Sequence, residues 1–117
     1  MALTVGMVTI DCVDASALGQ WWAAQLGGEV VQENDGWFVV VSTGEGGVML
    51  AFQKVDRVTP GKNKMHLDLV TADIDAEVER LEAAGAERVG SHTMDDFSWV
   101  TLADPEGNFF DVAQGEG

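Results

Sequence analysis

Proton chemistry in this chain rests on two histidines, because imidazole is the side chain that ordinarily gains or loses a proton near neutral pH. His66 stands two residues before Asp68, and in a strand that spacing turns both side chains to one face, near enough to pair. Such a pair can serve a pocket as acid, base or polar anchor, or it can only brace the sheet with a hydrogen bond. His92 lies in the polar run Gly90-Ser91-His92-Thr93-Met94-Asp95-Asp96, read as a strand end or loop near a cleft mouth. There it is either a solvated histidine or a further acid or base. The catalytic candidates are therefore His66, Asp68 and His92. Cys12, the single cysteine, has no base beside it in the sequence and alternates onto the apolar side of its segment, as a core residue does.

Aromatic residues supply the other half of a binding argument. Trp37, Phe38, Phe52, Phe97, Trp99, Phe109 and Phe110 all fall in expected strands, and sheets with aromatic walls bind flat organic molecules. Trp99 and Phe52 are the wall candidates, with Asp11, Asp68 and Asp111 supplying negative potential. Trp21 and Trp22 sit at helical spacing and read as packing.

The elements that must position these residues come in two copies. Setting Met7 against His66 also sets Asp14 on Asp73 and Trp22 on Leu81; an offset one residue shorter sets Gly27 on Gly85 and Val31 on Val89. Two copies are too few for a solenoid, so they should pair across a pseudo-twofold and share a cleft. In the first copy, residues 5–13 alternate as a strand, with Val8, Ile10 and Cys12 on one face and Met7, Thr9 and Asp11 on the other. Asp14 or Ser16 caps a helix that ends at Gly27-Gly28, and strands follow near 29–34, 37–43 and 47–55. In the second copy His66 to Val70 reads as a strand, Asp73 caps a helix that turns Ile74, Val78 and Leu81 inward, and Gly85 stops it. Strands near 86–92, 97–103 and 108–114 complete it, the last two joined by the turn Asp104-Pro105-Glu106-Gly107. The order is βαβββ twice, within a single domain spanning 1–117 whose modules cover about 5–55 and 64–114.

Composition narrows the partners. Twenty acidic and six basic residues leave a formal charge of −14, which repels nucleic acid and anionic lipid. Four of the basic residues, Lys54, Arg57, Lys62 and Lys64, crowd the segment that joins the copies, so the rest is more acidic still. The acidity reads either as a solubilising surface or as a field that attracts small cations. No basic leader and no long apolar run open the chain, and a lone cysteine forms no internal disulfide, which together favour a reducing cytoplasm.

With the run Asp104-Pro105-Glu106-Gly107-Asn108-Phe109-Phe110-Asp111 before the final strand, His66-Leu67-Asp68-Leu69 opening the second copy and Trp21-Trp22 leading to Leu26-Gly27, the chain resembles the vicinal oxygen chelate superfamily. That superfamily includes glyoxalase I, extradiol dioxygenases, fosfomycin-resistance proteins and bleomycin-binding proteins, and the likeness is greatest to its glyoxalase-like subgroup. The resemblance runs from about Val5 to Gln114. It implies an α+β fold in which two βαβββ modules related by a pseudo-twofold form a curved mixed sheet around a cleft, and it implies a homodimer.

Catalytic members place His or carboxylate ligands on the first and last strands of each module, around a divalent metal such as Zn, Ni, Mn or Fe. By that resemblance His66 and Asp111 match two ligand positions. Met7 and either Leu50 or Ala51 occupy the other two, and none of these suits a hard divalent cation. Two ligands fall short of the three that an open metal site needs, unless Thr9, Asp11, Asp68 or a second chain contributes. The expected function is therefore binding of an aromatic or cationic small molecule by His66, Asp68, Asp111, Trp99, Phe52 and Asp11, without a metal. The alternative is a lyase, isomerase or dioxygenase-type enzyme with a reduced metal site at His66 and Asp111.

Overall fold

The computed structural model describes residues 5–61, 63 and 65–115; Lys62 and Lys64 of the basic joining segment lie outside the described residues. Two compact units divide the chain, Met1–Thr59 and Pro60–Gly117. Each has the βαβββ order, and each holds a four-stranded mixed sheet.

The first unit runs β1 (Met7–Cys12), α1 (Ala15–Leu26), β2 (Glu29–Gln32), β3 (Phe38–Ser42) and β4 (Met49–Lys54), with the strands in the order β1-β4-β3-β2 and β1 parallel to β4. Asp14 caps α1 by accepting the Ala17 N–H at 3.1 Å, and Gly27 closes it at φ +66°, a left-handed conformation open to glycine at little cost. The buried stripe of α1 is Ala15, Leu18, Gly19, Trp22 and Ala23, a helical period laid on β3 and β4. Gly19 is the contact point: a Cβ there would stand 2.7 Å from Val39 Cγ1. Trp22 is buried, whereas Trp21 is only half covered and meets the Trp22 ring edge-on.

Strands β2, β3 and β4 are shorter than the sequence pattern predicts. Asn34 and Asp35 take positive φ in a 3-10 turn at Asn34–Gly36, and Trp37 falls outside β3, with its ring exposed beneath Lys54 Nζ at 4.7 Å. Phe52 is fully buried, on the side of β4 that faces α1.

The second unit runs β5 (Asp68–Thr71), α2 (Ile74–Ala83), β6 (Glu87–Met94), β7 (Phe97–Ala103) and β8 (Phe109–Gln114), ordered β5-β8-β7-β6 with β5 parallel to β8. Asp73 caps α2 through the Ala76 N–H, and Val78 and Leu81 are buried on the side where α2 meets β8. Two boundaries differ from the sequence reading. His66 and Leu67 precede β5 instead of opening it, and β6 runs on through His92 to Met94, turning into β7 at Asp95-Asp96.

The turn from β7 to β8 forms where expected and is held by a buried carboxylate. Asp104, 4% exposed, accepts from the Glu106 and Asn108 N–H groups, both at 2.9 Å, and from Asn108 Nδ2. Gly107 takes φ +87° and returns its N–H to the Asp104 carbonyl. No helix among the described residues is long and apolar enough to cross a membrane.

Candidate functional site

Three strands of the second sheet bring three polar side chains into one row. Asp68 of β5 is in register with Asp111 of β8, and Asp111 is in register with Thr101 of β7. Register partners share a face, so this row lies on one side of the sheet. Leu102, Phe110 and Val112 alternate onto the opposite side and are buried there, with α2 packed against β8. The polar row therefore occupies the helix-free face.

His66, just ahead of β5, completes the cluster. Its Nε2 stands 3.1 Å from Asp68 Oδ1 and 3.2 Å from Asp111 Oδ2. Thr101 Oγ1 donates to the other Asp111 oxygen at 2.5 Å. The two carboxylates are not equivalent, since the Asp68 side chain is 75% exposed and that of Asp111 only 20%. The Asp68 contact is thus a surface pair, of the kind that contributes at most about 1 kcal/mol, while Asp111 is the fixed member.

The donor set can be tested against a divalent metal. His66, Asp68 and Asp111 each offer one ligand atom, and these atoms lie within 4.8 Å of one another. Metal–ligand bonds of about 2.0–2.2 Å imply ligand-to-ligand edges of roughly 3.0–3.6 Å, and the two His66–carboxylate distances fall inside that range. One imidazole and two carboxylates suit borderline to hard ions such as Zn, Ni, Mn or Fe. The residues fit such an ion in donor type and in two of the three edges, the whole set lying within 4.8 Å, and the count differs from the sequence expectation: Asp68 makes a third potential ligand beside His66 and Asp111.

The corresponding positions of the first unit are not ligands. There β1 pairs with β4 through Thr9 and Ala51, and β3 pairs with β4 through Val40 and Ala51. Met7, Thr9, Ala51 and Val40 thus stand where the second unit has His66, Asp68, Asp111 and Thr101. The register settles the open choice between Leu50 and Ala51 in favour of Ala51.

Aromatic side chains continue the row along β7. Trp99 lies two residues before Thr101, hence on the same face, and is the register partner of His92. The two rings stack at 5.2 Å with an interplanar angle of 28°, and the exposed Phe97 ring lies 5.6 Å from Trp99. His92 is therefore part of an aromatic ledge instead of the His66 cluster. Phe52 is corrected from wall to core, being 0% exposed against α1. Asp11 is exposed on the Met7 and Thr9 face of β1 in the first unit, and the described acids gathered at His66 are Asp68 and Asp111. Thr101 was missed by sequence reasoning. Counting strand partners outward from the Asp104–Gly107 turn would have set it opposite Asp111.

The family model described as a glyoxalase-like domain matches residues 7–113. The fold is similar to that of a glyoxalase/bleomycin resistance protein/dioxygenase family enzyme from Burkholderia phytofirmans, with a TM-score of 0.81 at 19% identity over 96% of this chain and 98% of that one. It is also similar to a fosfomycin resistance protein from Listeria monocytogenes, with a TM-score of 0.80 at 13% identity over 98% and 95%. A lactoylglutathione lyase from Agrobacterium tumefaciens gives a TM-score of 0.70 at 19% identity over 96% and 93%. At these identities the likeness is one of fold. Among curated proteins, none matches the sequence.

Proposed function

Because this chain belongs to the glyoxalase-like domain family, within the vicinal oxygen chelate superfamily, we propose that the helix-free face of its second sheet binds a small organic molecule that is aromatic or cationic. The observation that carries this reading is the placement of the His66–Asp68–Asp111 cluster and the Trp99–His92 stack on one face of one sheet. A planar body can stack on Trp99 while a cationic group approaches the exposed Asp68 carboxylate, combining aromatic contact with charge complementarity. The protein acts in this reading as a cytoplasmic homodimer. A monomer in sedimentation across micromolar concentrations would remove the dimer.

Tryptophan fluorescence titration tests the ligand class, with planar cations compared against neutral isosteres. Cations should bind more tightly, and Trp99→Phe should remove most of the signal change. Asp68→Asn should narrow the preference by about 1 kcal/mol, roughly fivefold, a scale set by exposed ion pairs. Equal binding of cations and neutral analogues would remove the cationic preference, and binding of neither would refute the ligand class.

A second reading is favoured by one specific observation, the three ligand atoms within 4.8 Å. His66 Nε2, Asp68 and Asp111 would hold a divalent cation, and Thr101 would keep the second Asp111 oxygen turned away from it. When bound, such an ion supplies Lewis-acid polarisation of substrate oxygens, the chemistry of a lyase or isomerase. Metal analysis of freshly purified protein decides between the readings. Stoichiometric Zn, Ni, Mn or Fe, with ligand binding lost to chelator and restored by metal, selects the enzyme; binding indifferent to chelator selects the metal-free site.

A further inference from the structure

His66 approaches both carboxylates although it lies outside any strand. Its position must therefore be fixed by something other than a regular ladder. On its C-terminal side the answer is ordinary: the Leu67 carbonyl accepts the Asp111 N–H at 2.9 Å, which brings the chain onto the edge of β8. On its N-terminal side the tie comes from a side chain.

The Asn108 carbonyl accepts from the Asp104 N–H on the β7 side of β8. Strand alternation turns the next residue the other way, so the Phe109 N–H and C=O face the side on which β5 runs, as those of Asp111 do. No β5 residue reaches Phe109, since β5 begins at Asp68, opposite Asp111. The side-chain amide of Asn63 fills that place: its Oδ1 accepts the Phe109 N–H at 2.9 Å and its Nδ2 donates to the Phe109 carbonyl at 3.3 Å. Nδ2 also donates to the Met65 carbonyl, one residue before His66. A primary amide carries a donor and an acceptor in one plane, as a peptide group does, so it can satisfy both backbone groups of Phe109 together.

We propose that Asn63 is a positioning residue for His66, its amide standing in for a missing strand residue so that the segment carrying the imidazole is pinned to β8 on both sides. The role rests on the reading of the His66 cluster as the functional site. It requires Asn in particular, because Asp keeps the acceptor but loses the donor, and Ala loses both.

The experiment uses the full chain labelled with 15N, as wild type, Asn63→Ala, Asn63→Asp and Asp111→Asn. His66 and His92 are the only histidines, so ring nitrogen–proton correlation spectra report the site and an internal control together. In Asn63→Ala the His66 signals should move toward those of Asp111→Asn, in which His66 has a weaker partner, while His92 stays in place. Amide exchange at Phe109 should accelerate at least about tenfold, the scale of a lost hydrogen bond, with Asp111 less affected. Affinity for a planar cation or for Zn²⁺ should fall about three- to tenfold. Asn63→Asp should retain more protection at Phe109 yet still displace His66.

A folded Asn63→Ala protein with wild-type His66 signals overturns the proposal; should that variant not fold, wild-type His66 signals in Asn63→Asp overturn it instead. The spectra need no ligand. Displaced His66 signals in a protein that takes up neither planar cations nor Zn²⁺ keep the positioning role and remove the proposed function, whereas ligand uptake with His66 unmoved does the reverse.

Discussion

At the scale of single residues, Asp111 is the centre of the proposed site, shared between the Thr101 hydroxyl and the His66 imidazole. Thr101→Val keeps the shape and deletes the donor, leaving one oxygen of a mostly covered carboxylate without that bond. It should lower stability by about 1 kcal/mol in urea unfolding. Asp68→Asn, at a far more exposed carboxylate, should shift the same transition by less than about 0.5 kcal/mol. Equal losses in the two variants would contradict the ranking drawn from exposure. The pairing of His66 with Asp68 was legible in the sequence because residues two apart are within reach of each other, although the strand assumed for both begins only at Asp68. The approach of His66 to Asp111 was not, since it spans the whole second copy and came only through resemblance. Asn63 left no trace, because an amide that imitates a peptide bond has no sequence pattern.

Elements were easiest to read where one face is apolar and the other polar. The alternation of β1 and the caps Asp14 and Asp73 stand where the residues indicated. Phe52 was misjudged for a physical reason: Val39, Val40, Val41, Leu50, Ala51 and Phe52 are all buried, so alternation assigns neither face in β3 or β4. The polar run around Ser91, His92 and Thr93 reads as a strand end or loop, because exposed polar residues carry no alternation, and pairing with β7 extends the strand two residues past His92 to Met94. Two substitutions test how the elements are held. Gly19→Ala improves helix propensity by about 1 kcal/mol, but its methyl group meets the buried Val39 side chain at the α1 contact, and overpacking of that kind costs about 1–3 kcal/mol. The expected net result is a lower melting temperature. Asp104→Ala strips the β7–β8 turn of the carboxylate that serves the Glu106 and Asn108 N–H groups and should cost about 2–3 kcal/mol, with Asn108 amide exchange accelerating first. An unchanged melting temperature in either variant would refute its argument.

For the whole molecule, a formal charge of −14 sets the conditions under which any ligand arrives. Cation affinity should fall as salt rises from low ionic strength to about 0.15 M, where the screening length is near 8 Å, while neutral analogues bind alike at both. We propose that the two units unfold as one domain. In Trp99→Phe every remaining tryptophan lies in the first unit, so its fluorescence melt should coincide with the far-UV circular dichroism of the whole chain; two separated transitions would make the units independent. The unlike fates of the two copies have a further consequence. Ala51 is 0% exposed and Val40 is 3% exposed, so the positions equivalent to Asp111 and Thr101 are interior in the first unit. A carboxylate placed at position 51 would be a buried, unpaired charge costing several kcal/mol, on the order of a whole domain's stability. Ala51→Asp should therefore fail to fold or melt far below the wild type. One register position thus tolerates a carboxylate in the second unit and only a hydrophobe in the first, so a second site cannot be built in the first unit by copying Asp111 across alone.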